Sequence, residues 1–128
     1  MSTDKKFFWH DDPEIGSYKF CHGGIWDYDF YIEEVSVKYV YGWTEEKRQH
    51  HFNGAKFIWG GCADGVSYSN HPLKAQTIED AKKEFEGWYE QYLQSRIDSL
   101  KRALAAAAEE QIRFMLYKND TAQHPASE

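Results

Sequence analysis

Residues 78–118 read as one helix of about forty residues, with a single glycine, Gly87, and no proline inside it. At the α-helical rise this is roughly 60 Å long. A compact domain made from all 128 residues is only about 36 Å across. The helix is therefore expected to overhang its own domain, to break and fold back, or to lie against a second copy or another partner. A chain of this kind is built for association.

The apolar stripe of the segment runs Ile78, Ala81, Phe85, Tyr89, Tyr92, Leu93, Ile97, Leu100, Leu104, Ala108, Ile112 and Met115. Their mean step is about 3.7 residues, near a straight helix and an 11-residue repeat rather than a strict heptad. A long left-handed coiled coil is not the expected form. Thr77 followed by Asp80 resembles an N-cap with an acid in the first turn. Glu79–Lys83, Asp98–Arg102 and Glu109–Arg113 have the favourable i, i+4 order. The alanines at 105–108 are strong helix formers and let a second helix approach closely. The weakest stretch, 95–99, could open a helical hairpin near Ser95, but no proline or Gly-Asn turn stands there, so continuity is favoured. Residues 119–128 are polar and expected to form a disordered tail.

Ahead of the helix the pattern changes to strands. Residues 1–15 are polar apart from Phe7, Phe8 and Trp9, which reads as an arm with three docking rings. Residues 17–22 form a short strand candidate. Residues 27–43 carry the strongest alternation: Tyr28, Phe30 and Ile32, then Val35, Val37, Tyr39, Tyr41 and Trp43 on the other parity. A parity change inside one strand implies a bulge, placed at Glu33-Glu34. Residues 42–48 read as a polar turn. Asn53-Gly54 and Asp64-Gly65 are type I′ hairpin signals bracketing strands at 56–62 and 66–71. The expected fold is α+β: an antiparallel meander of four or five strands (16–71) followed by one long C-terminal helix (78–118), a single domain over 1–118.

Composition narrows the function classes. Five Trp, nine Tyr and eight Phe make the chain 17% aromatic, and such rings serve as core or as binding surface. Net charge is −6. Residues 1–77 carry 8 basic and 11 acidic side chains, and 78–128 carry 7 and 10, so no basic half exists. Direct nucleic-acid binding needs a positive stripe and is disfavoured. Two cysteines, Cys21 and Cys62, do not make a disulfide framework. No apolar signal region or membrane-length run appears. The expectation is a cytoplasmic protein, in the host cytosol if it is phage-encoded.

Four groups of residues are candidates for chemistry. Asp27, Asp29 and Glu33, flanking Tyr31, would share one strand face and could bind a cation or meet a basic partner, or form a solvated face. The histidines His10, His22, His50, His51, His71 and His124 match no zinc spacing, so neither a metal site nor a cofactor is expected. Cys62, in a glycine-rich turn, matches no thiol-enzyme signature. Trp26, Trp43, Trp59, Tyr68 and His71 could line a site for a small planar ligand, against a bland role in the core.

Motif absence, an acidic surface and an oversized helix lead to one expectation: a non-catalytic regulator that binds another protein. This suits an inhibitor or adaptor, including a phage-encoded inhibitor of a bacterial defence system. It would act as a homo-oligomer, most simply a dimer, through Ile97, Leu100, Leu104, Ala108, Ile112 and Met115. The alternatives are a protein that sequesters a nucleotide-like ligand between rings, and a metal-dependent enzyme using the scattered His, Cys and Asp groups.

Overall fold

The computed structural model describes residues 6–24, 26–37 and 44–123. Five strands form one antiparallel sheet in chain order: β1 (Phe8–Asp12), β2 (Ser17–Cys21), β3 (Tyr28–Glu34), β4 (Phe57–Ala63) and β5 (Val66–Pro72). A short helix α1 (Glu45–His51) precedes β4, and a single helix α2 (Ile78–Gln123) ends the fold. This is the expected α+β meander followed by one long helix. α2 passes through Ser95 without a break and runs beyond Lys118. By backbone contacts the chain divides into two compact units, Met1–Gly87 and Trp88–Glu128.

In the first unit, register decides what is buried. Trp9 pairs with Phe20, Phe20 with Phe30, Phe30 with Gly61, and Gly61 with Tyr68. Directly opposed residues lie on the same face of a sheet, so this rung is a row of rings interrupted by one glycine. The next rung holds Tyr18, Ile32 and Trp59. The first turns of α2 cover this face. Phe85 is wholly buried there, with its ring centroid 5.4 Å from Phe20, 5.6 Å from Phe30, 5.4 Å from Trp59 and 5.8 Å from Trp9. These are mostly tilted or edge-on contacts, as ring quadrupoles prefer.

Polar groups fix the helix at the margin of the rings. The Trp9 indole donates to Glu86 Oε2 at 2.8 Å, and Lys82 Nζ reaches Asp11 Oδ2 at 2.8 Å. The helix start is capped as its sequence suggests: the Asp80 amide donates to Thr77 Oγ1 at 3.2 Å. Glu84 adds a second tether, accepting from the Lys74 and Ala75 amides at 2.9 Å.

A smaller core lies on the other face. Ile58 alternates away from Trp59 and meets Val35 and Phe52, with Ala55 beside them. The Phe52–Ala55 turn is left-handed at Asn53 (φ 53°) and Gly54 (φ 75°), but it joins α1 to β4 rather than two strands. Asp64 (φ 52°) and Gly65 (φ 77°) do form the hairpin turn between β4 and β5.

Several local expectations are corrected. Within the N-terminal arm, residues 8–12 form edge strand β1. The polar turn at 42–48 contains the start of α1. The long strand at 27–43 ends at Glu34, where the chain enters a 3-10 turn, Val35–Val37; this turn, not a bulge, changes the parity. The bulge falls earlier, where β2 meets β3: Phe20 opposes Phe30 but Cys21 opposes Tyr28. Asp29 is skipped, so Tyr28 leaves the ring face and takes the Lys19 ammonium 5.6 Å above its ring. Gly60 and Gly61 are not turn residues. A Cβ on Gly61 would overlap the Asp29 carbonyl oxygen and stand 2.7 Å from the Phe30 ring, so this glycine lets β3 and β4 close. The second half of the 27–43 expectation, with Tyr39, Tyr41 and Trp43, lies outside the described residues.

Candidate functional site

The predicted residues fall into three places. Trp59, Tyr68 and His71 come together on β4 and β5. Trp59 and His71 are opposed in register and stack at 4.7 Å and 22°. Tyr68 lies 5.4 Å from Trp59 and 6.0 Å from His71. Trp59 is buried and also meets Phe85, so these rings fill one another's faces and merge with the core. Trp26 is elsewhere, 83% exposed between β2 and β3. Trp43 lies outside the described residues.

The carboxylates separate into two groups. Asp27 and Asp29 gather around a residue that no spacing joins to them: His22 Nδ1 is 3.9 Å from Asp27 Oδ2, and His22 Nε2 is 3.6 Å from Asp29 Oδ2. The bulge that skips Asp29 brings both carboxylates to the loop end. Glu33 sits further along β3 in a shallow depression with Ser17, Lys19, Tyr28 and Tyr31. Here Lys19 Nζ is 3.5 Å from Asp12 Oδ2, which also lies 3.5 Å from His10 Nε2. This patch mixes one ammonium, Lys19, with the carboxylates of Asp12 and Glu33 and is not basic. Among the described residues, no group of three or more His, Cys, Asp or Glu is placed to hold a metal ion.

The thiols are far apart in character. Cys21 is buried, and burial pushes its thiol up from the ordinary value, away from the thiolate that nucleophilic chemistry needs. Cys62 is exposed on β4. Tyr18 is also pushed up, first by burial and then by the Glu34 carboxylate, to which its hydroxyl donates at 3.4 Å.

The third place is the helix beyond Gly87. Several of its side chains pair with neighbours along the same helix. Trp88 stacks on Tyr92 at 5.3 Å, and Phe114 on Tyr117 at 6.0 Å. Gln94 donates to Asp98 at 3.1 Å. Of the six predicted interface residues, Ile97 is 45% exposed and Leu104 72%, and Leu100, Ile112 and Met115 fall between them; Ala108 is exposed too. Three more large apolar side chains, Phe114, Leu116 and Tyr117, are similarly exposed. A one-face stripe misses them because they point round the helix from Met115. The signal in the sequence is the uninterrupted apolar run 114–117. No helix of the described residues is long and apolar enough to cross a membrane.

No family model, curated protein or solved structure matches this chain.

Proposed function

We propose that this is a non-catalytic protein-binding regulator, of the inhibitor or adaptor kind, which acts as a homo-oligomer through residues 88–123 of α2. The observation that carries the reading is the row of large apolar side chains from Ile97 to Tyr117, all 45% exposed or more. Soluble monomers rarely leave contiguous apolar surface of this extent, and where it occurs it marks an interaction site. The segment also carries five basic and five acidic side chains, so no net charge opposes self-association.

The test is absolute mass in solution by light scattering, for the native chain and for Leu100→Asp/Leu104→Asp. The native chain is expected as a dimer or larger, and the double variant as a monomer with β1–β5 still folded. A native monomer at every concentration, or a variant that still associates, would remove the reading.

A further inference from the structure

We infer that the occupant of this helix face is a second copy of the same helix, lying antiparallel and centred between Ala105 and Ala106. The inference rests on the proposed role of residues 88–123 as an association element, and adds its orientation and register.

The first argument is the order of charge along the segment. Turning the helix end for end about that centre brings each residue level with one whose number makes 211 with its own. Lys101 then lies level with Glu110, Arg102 with Glu109, and Asp98 with Arg113. The other charged residues, Glu90, Arg96, Lys118 and Asp120, lie level with uncharged ones. No like charges meet. A parallel pair in register does the opposite, setting each of these charges beside its own copy. Moving the antiparallel centre by half a heptad toward the C-terminus sets Asp98 level with Asp120 and Glu109 with itself. Moving it as far the other way sets Arg102 against Arg102. Helix axes in contact are about 8–10 Å apart, but side chains on the outer faces lie further from their level partners than the screening length at physiological salt, so the bias between registers comes from the charges that flank the contact.

Length and side-chain size give the second argument. The helical part of the second unit, 88–123, has its midpoint at the same place, so this register overlaps it along its whole length. Alanines at 103 and 105–108 occupy the middle, where two backbones would approach most closely. Leu104 then lies level with Ala107 and Ile97 with Phe114, a large side chain against a small one at the centre and apolar against apolar further out.

Distances between spin labels test this directly. Cys62→Ser removes the exposed thiol, and buried Cys21 is left unlabelled, with the Cys62→Ser protein as the blank. Labels are placed singly at Gln94→Cys and Thr121→Cys, both exposed positions. At 1.5 Å per residue the inferred register gives about 35 Å between labels at 94 and about 47 Å between labels at 121. These two values support the inference. Short distances of about 10–20 Å at both sites mean a parallel pair, and overturn it while leaving self-association standing. About 45 and 36 Å would mean the shifted centre, with the same consequence. A monomer, with no distance between labels at either site, overturns both the inference and the reading beneath it.

Discussion

Phe85→Ala is the change that most directly tests how the first unit is held together. The side chain is wholly buried and touches rings from β1, β2, β3 and β4. Burying a phenylalanine and then truncating it costs about 3–5 kcal/mol, transfer and cavity terms together. Four rigid strand-borne rings around the vacancy cannot collapse into it easily, so about 4 kcal/mol is expected. That is a large share of the roughly 5–15 kcal/mol that stabilises a domain. At about 4–8 °C per kcal/mol for a domain of this size, the melting temperature should fall by about 15 °C or more. The assay is urea unfolding followed by tryptophan emission, because Trp9 and Trp59 both touch Phe85. Phe8→Ala is the control: Phe8 is 39% exposed and should cost about 1 kcal/mol or less. A Phe85→Ala loss below about 1.5 kcal/mol, or one equal to the control, would refute the account of α2 docking through this ring.

Other outcomes follow from the same geometry. Gly61→Ala should cost about 3 kcal/mol or more, since its Cβ would overlap the Asp29 carbonyl. Gly65→Ala, with a left-handed φ of 77° but open space around it, should cost nearer 1 kcal/mol; equal costs in denaturant unfolding would contradict this. Stability should also decline in alkali. Cys21 and Tyr18 both have raised folded-state values, so the folded chain keeps protons that the unfolded chain releases from about pH 8.5 upward. Their contribution is full below that range and is lost as pH rises through the folded values. Tyr18→Phe should flatten the upper part of that decline, and an unchanged slope between pH 9 and 11 would count against it.

What the sequence made legible was local. Asp64-Gly65 announces its turn because both residues must take positive φ. The helix announces itself by periodicity and by Thr77 at its start. What stayed hidden depends on distant partners. β1 is masked by His10, Asp11 and Asp12, and Asp11 makes sense only opposite Lys82, far along the chain. The Asp29 bulge is set by how β2 and β3 register, which alternation within β3 alone does not reveal. α1 is short and polar, and its reason to form is Phe52 at its end, buried against Val35 and Ile58. The apolar stripe of 88–123 was legible for the same reason as the helix. The pairing of His22 with Asp27 and Asp29 was not, because the bulge creates it.

The two halves of α2 should therefore differ in what keeps them helical. Residues 78–87 are anchored by Phe85, Ala81 and the Lys82–Asp11 pair, and their helicity should persist as long as the sheet does. Residues 88–123 draw on alanine propensity and i, i+4 pairs, which alone leave isolated helices marginal and temperature-sensitive in water. If a second copy covers the apolar row, dilution through the dissociation range should lower the 222 nm signal while tryptophan emission from Trp9 and Trp59 holds steady. Amide exchange should quicken first at the C-terminal end and around Ser95–Ser99, and stay slow in β2–β4. Leu100→Asp/Leu104→Asp should show the diluted behaviour at every concentration. Helicity that does not change with concentration, together with mass that does, would mean the helix is stable by itself and association adds no order to it.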